Sequence, residues 1–105
     1  MLGNILRLIR IANDNKNIKD VAKEIGITPN YLCDLEKGNK RVSLKILKKI
    51  ALFYDMPLSQ IFLFDELQNQ NNLNNQQILK MILEYYISKE KENNKLDDSD
   101  CIKHI

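Results

Sequence analysis

Apolar residues recur at helical spacing through the first two-thirds of the chain, and no stretch alternates as a strand would. Leu2, Ile5, Leu6 and Ile9 place one face of a first helix over Leu2 to about Ala12, and Asn13-Asp14-Asn15 breaks it. Val21, Ala22 and Ile25 share a face of a second helix that Asn17 is placed to cap and Gly26 to close. Leu32 and Leu35 give a third helix its buried stripe, with Thr28 as cap and Pro29 in the first turn. Gly38 is placed to end that helix, since it can take the left-handed conformation. Ser43 caps a fourth helix, with Val42 and Leu47 spaced as a hydrophobic staple and Leu44, Leu47, Ile50, Ala51 and Tyr54 lining its inner face. Asp55-Met56 turns the chain, and Pro57 starts a fifth helix carrying Leu58, Ile61, Phe62 and Phe64. The fold class expected is all-α: a compact five-helix domain over residues 1–66.

Residues 68–77, QNQNNLNNQQ, are Asn or Gln at nine of ten positions. Such a segment buries too little apolar surface to offset its ordering entropy, so residues 67–77 are expected as a flexible polar linker, with an aggregation-prone tract as the other reading. Residues 78–87, ILKMILEYYI, are polar only at Lys80 and Glu84. A helix apolar nearly all round must be covered, and it is far short of the ~20 residues that span a bilayer. Over 78–92 it either packs back on the five-helix body or pairs with a second copy through Ile78, Leu79, Ile82, Leu83, Tyr85 and Tyr86; homodimerisation is the preferred expectation. Residues 93–105 are expected as a disordered tail.

Composition narrows the function. The chain has 105 residues and a net charge of +2. Residues 1–64 carry eleven Lys/Arg against six Asp/Glu, a balance of +5; residues 65–105 carry five against eight, a balance of −3. A basic front and an acidic rear fit a phosphate-binding module with a separate attachment, or ordinary surface variation. Cys33 and Cys101 lie in unrelated segments and are expected as reduced thiols, hence a cytoplasmic protein. Arg7 and Arg10 interrupt the apolar N-terminus and no small-residue cleavage site follows, so neither secretion nor a membrane role is expected. The single histidine, His104, three residues after Cys101, assembles neither a zinc site nor a catalytic set, so no enzyme, metal or cofactor is expected.

Residues 17–38, NIKDVAKEIGITPNYLCDLEKG, are two short helices joined by a tight turn, with the small Ala22 where two helices cross steeply. The order Ile27 to Gly38, then Ser43-Leu44 and Leu47-Lys48-Lys49-Ile50-Ala51, resembles the phage-repressor and Cro helix-turn-helix family, also called the xenobiotic-response-element family. The resemblance covers roughly Ile5 to Phe64. It implies a lambda-repressor-like domain, double-stranded DNA as partner, and base reading from Thr28, Pro29, Asn30 and Asp34. Asn30 suits adenine, Asp34 the cytosine amino group and Pro29 a thymine methyl; Asp34 has a second reading as an i,i+3 partner of Lys37. Phosphate contacts fall to Asn17, Ile18, Lys19, Tyr31, Lys37, Asn39, Lys40 and Arg41, including the amides at the start of the second helix.

Many relatives pair a first-helix arginine with the position of Glu36. Counting back from Asn17 puts that arginine at Ile11, with Arg10 beside it, so either the register shifts by one or the pair is missing. A second departure is Val42, where proline is common. The reading that results is a sequence-specific transcriptional regulator, a repressor on a palindromic operator, with a regulatory protein as a possible further partner. The alternative is a protein-interaction module, an antagonist or antitoxin, acting through the last helix.

Overall fold

The computed structural model describes the backbone of residues 2–103 and the side chains of residues 2–89. It contains six helices and, among the described residues, no strand: α1 Leu2–Ala12, α2 Ile18–Ile25, α3 Pro29–Lys37, α4 Leu44–Phe53, α5 Leu58–Asn71 and α6 Asn75–Lys103.

The centre of the molecule is α1. Ile5, Leu6, Leu8 and Ile9 are all buried, so this helix is covered on several sides, by α3, α5 and α6. Gly3 makes the crossing with α3 possible, because a Cβ there would collide with the carbonyl oxygen of Leu35. The α2–α3–α4 layer adds Val21, Ala22, Ile25, Leu32, Leu47, Ile50 and Tyr54 to the same core.

The expected helix boundaries are met by the expected caps. Asn17 accepts from the Lys19 amide at 2.7 Å, Thr28 from Tyr31 at 3.1 Å and Ser43 from Ile46 at 3.2 Å. Gly26 and Gly38 take φ of 89° and 79°. Around Gly26 a Cβ would meet nothing within 4 Å, so glycine serves the backbone angle alone. Two inner-face assignments are corrected. Leu44 is 57% exposed, because the first residue of a helix aims its side chain back past the core layer. Phe62 is 45% exposed, since Ile61 and Phe64 occupy the inward positions of α5.

The Asn/Gln-rich segment is not a linker. α5 runs on to Asn71, the chain turns at Asn72 (φ 51°), and α6 begins at Asn75. Several of its amide side chains have a task there. Asn74 and Gln77 form a reciprocal capping box, with side-chain-to-backbone bonds of 2.8 and 2.9 Å. Asn4 on α1 donates to Gln68 at 3.1 Å and to Asn75 at 2.7 Å, tying the corner to the core helix. These hydrogen bonds, with Leu73 packed against the core, form the corner between α5 and α6.

That corner turns α6 back along α1. Ile78 and Ile82 are fully buried in the common core, so these two are removed from the expected pairing surface. Leu79, Tyr85 and Tyr86 are half-buried against the same core, and Leu83 is 41% exposed. Tyr86 Oη donates to the Tyr54 carbonyl at 2.7 Å, and Lys89 Nζ reaches both the carbonyl and the carboxylate of Asp55, at 2.6 and 2.7 Å. The backbone of α6 continues to Lys103 through most of the segment expected as a tail. Side chains beyond Lys89, Cys101 included, lie outside the described residues, as do His104 and Ile105 entirely.

Candidate nucleic-acid interface

The turn between α2 and α3 is built by the backbone. Gly26 and Ile27 both donate to the Ala22 carbonyl, at 2.8 and 2.9 Å, and turn the chain from α2 into α3 over residues 26–28. Leu32 and Leu35 then face the core, each no more than 2% exposed. The opposite side of α3 is consequently presented outward. Thr28, Pro29 and Asn30 are exposed at its N-terminal end; Tyr31, Cys33 and Asp34 are half-buried. Thr28 uses its oxygen as the cap acceptor and keeps its hydroxyl hydrogen for another partner.

The far end of α3 is fixed as firmly. The Asn39 amide bonds the Asp34 carbonyl at 2.9 Å and the Gly38 amide bonds the Leu35 carbonyl at 3.2 Å, a Schellman-type closure. The loop it starts leaves Lys37, Asn39, Lys40 and Arg41 exposed. Asn17 and Lys19 are exposed at the start of α2, while Ile18 is half-buried, its amide being the group of interest. Lys16 stands over the Phe53 ring at 5.8 Å. The residues expected for base reading therefore lie at the N-terminal end and outer face of α3; of those expected for phosphate contact, Asn17, Ile18 and Lys19 flank it at the start of α2 and Asn39, Lys40 and Arg41 in the loop, while Tyr31 and Lys37 lie on α3 itself.

Asp34 is paired otherwise than expected. Its carboxylate lies 3.8 Å from Lys40 Nζ, in the following loop, and not against Lys37 one turn on. The same ammonium sits 5.7 Å from the centre of the Tyr31 ring. Sequence spacing favours i,i+3 partners, and only the tight turn at Gly38 brings residue 40 back to residue 34.

The first-helix arginine is settled in favour of a register shift. Arg10 Nε and Nη2 donate to the two carboxylate oxygens of Glu36, each at 2.9 Å, and Nη1 donates to the Lys16 carbonyl at 2.9 Å. Asp14 and Asn15 take φ of 65° and 50° in the loop that joins α1 to α2. The Glu36 hydrogen bonds push the Arg10 pKa above its ordinary value. Burial likewise pushes the Tyr54 and Tyr86 phenols up.

Among the described residues no cluster of His, Cys, Asp or Glu could hold a metal, and no helix is long and apolar enough to cross a membrane.

Comparison with known proteins agrees with this geometry. A helix-turn-helix family model matches residues 6–61. An uncharacterized HTH-type transcriptional regulator of Archaeoglobus fulgidus is 36% identical over 55 residues, 52% of this chain and 78% of the relative. A second protein of that description, from Methanocaldococcus jannaschii, is 33% identical over 65 residues, 62% of this chain and 97% of its own. No solved structure matches at a comparable level. With α2 and α3 forming the motif and the matched span running from α1 into α5, the chain belongs to the Cro-type helix-turn-helix family of DNA-binding transcriptional regulators.

Proposed function

We propose that this protein is a repressor that occupies a palindromic operator as a homodimer, with α3 laid in the major groove. The observation that carries the reading is the free outer face of α3, with exposed Lys37, Asn39, Lys40 and Arg41 at its far end and the start of α2 alongside. Asn30 presents a donor and an acceptor to an adenine edge, Pro29 an apolar surface to a thymine methyl, Thr28 a hydroxyl donor and Asp34 an acceptor for a cytosine amino group. Phosphates of the flanking strands fall to the Ile18 amide at the positive end of α2, to the Lys19 ammonium, to Asn17 and Tyr31, and to the loop.

Homodimerisation supplies the two-fold symmetry a palindrome needs. With Ile78 and Ile82 buried within the chain, the surface left for a second copy is the outer side of α6, where Leu83 and Ile87 are 41% and 51% exposed. Selection of bound sequences from random duplexes, followed by sedimentation of the complex, tests the proposal. The expected product is an inverted repeat with half-site centres roughly 34 Å apart and two chains per duplex. A single asymmetric site bound by one chain would overturn the dimer; recovery of no preferred sequence would favour a module that uses α6 to hold another protein.

A further inference from the structure

We infer that Lys40 is a specificity-determining residue: its ammonium is the built-in counter-charge that lets the Asp34 carboxylate enter a groove lined by phosphates and accept from a base. This inference rests on the DNA-binding reading above and assigns one of its residues a task that phosphate contact does not cover.

The difficulty it resolves is electrostatic. Asp34 lies one turn beyond Asn30 and Tyr31 on the outward side of α3, so a helix that brings Asn30 to a base edge brings a carboxylate with it. Duplex DNA carries about one negative charge per 1.7 Å of axis, and an unaccompanied carboxylate there is repelled by every nearby phosphate.

Among the described residues, the structure places the Lys40 ammonium against this group. Lys40 Nζ is 3.8 Å from Asp34 Oδ2 and 5.7 Å from the Tyr31 ring centre, between two side chains one helical turn apart. The closing turn carries residue 40 back toward α3. The Asn39 amide bonds the carbonyl of Asp34 itself, so the residue whose carboxylate takes the lysine also anchors the loop that carries it. The Lys40 and Asp34 side chains are 58% and 36% exposed, and a pair this open contributes little to folding. Its effect belongs to the bound state, where water is displaced from between protein and DNA and the same charges act through a lower dielectric.

A lysine that only holds phosphate weakens all sequences alike, whether or not Asp34 is charged. A counter-charge behaves differently, because its removal matters chiefly while the carboxylate is present. The test uses the full chain with Lys40→Ala, Asp34→Asn and the double variant, and Lys37→Ala in both backgrounds as a control. Affinities are measured against duplexes that vary at the base pair whose preference relaxes in Asp34→Asn. Thermal midpoints should match that of the parent, since the pair is open to solvent.

Lys40→Ala should weaken binding to the preferred duplex at least about tenfold more in the parent background than in the Asp34→Asn background, the coupling expected of a desolvated charge pair. It should also relax the preference at that base pair, and Lys40→Arg should restore both. Lys37→Ala should cost the same factor in either background. Equal losses from Lys40→Ala in the two backgrounds, with base preference unchanged, would overturn the inference. So would an Asp34→Asn protein that binds DNA with every preference intact. Failure of the parent protein to bind any duplex would instead overturn the DNA-binding reading itself, and this inference with it.

Discussion

Arg10 and Glu36 join the first helix to the third through two parallel hydrogen bonds of 2.9 Å, with both side chains largely shut away from water (13% and 4% exposed). The third arm of the guanidinium holds the Lys16 carbonyl, just ahead of α2. One side chain therefore fixes α1, the approach to α2, and α3 relative to one another. The direction in which α3 presents its outer face depends on that junction.

Removing one partner should leave an uncompensated charge in a part-buried site. Glu36→Gln or Arg10→Met is expected to lower stability by about 3–5 kcal/mol in urea unfolding. The paired change Arg10→Met with Glu36→Leu should recover most of the loss. Single variants that unfold at the parent midpoint would show the pair to be incidental.

Much of the fold was legible because its signals are local. Asn17, Thr28 and Ser43 act as the caps their types specify, and Gly26 and Gly38 adopt the left-handed angles their positions demand. What escaped depends on distant partners. Gly3 looks like an ordinary helix weakness until the Leu35 carbonyl is placed beside it. The Asn4–Gln68–Asn75 network spans about seventy residues of chain, and its members read as solvated amides when counted in a row. Ile78 and Ile82 announced burial without saying against what. At the candidate interface, residue types and order marked the outer face of α3, but the Lys40–Asp34 pairing follows from a turn whose path no spacing rule states.

Gly3 offers a change of opposite sign to the usual expectation. An alanine ordinarily gains up to about 1 kcal/mol over glycine in a helix, the full amount in the interior and less in the first turn, where Gly3 sits. Here the added carbon meets the Leu35 carbonyl and also lies 3.1 Å from the Glu36 carbonyl and 3.2 Å from the Gly38 amide, all backbone groups that cannot swing aside. Gly3→Ala is expected to cost about 1–3 kcal/mol by forcing α1 from α3, read as a lowered thermal midpoint. A raised midpoint would contradict the crossing.

High pH should act through Tyr54 and Tyr86. Burial raises both phenols above their ordinary pKa of about 10. Above that pH the unfolded chain has lost protons that the folded chain keeps, so stability falls as pH rises, whereas below it the two states hold the same protons and stability is unaffected by these groups. Unfolding followed from pH 8 to 11 should show the decline beginning near pH 10. Tyr86→Phe should shallow it while costing about 1 kcal/mol at neutral pH through loss of the bond to the Tyr54 carbonyl.

Base reading and phosphate holding should separate by mutation. Asn30→Ala is expected to relax preference at one base pair, worth about 1–3 kcal/mol, with the salt response unchanged. Arg41→Ala should weaken all duplexes alike and flatten the salt response by about one contact. Identical behaviour of the two variants in binding assays on matched and mismatched duplexes would remove the division of roles.

The most direct test of the whole account is affinity for a selected duplex measured across a range of salt concentrations. Log affinity should fall linearly with log salt at a slope steeper than about −3, as several phosphates exchange their counterions for the α2 terminus and the residue 37–41 loop. A flat line, or no binding to any duplex at low salt, would contradict it.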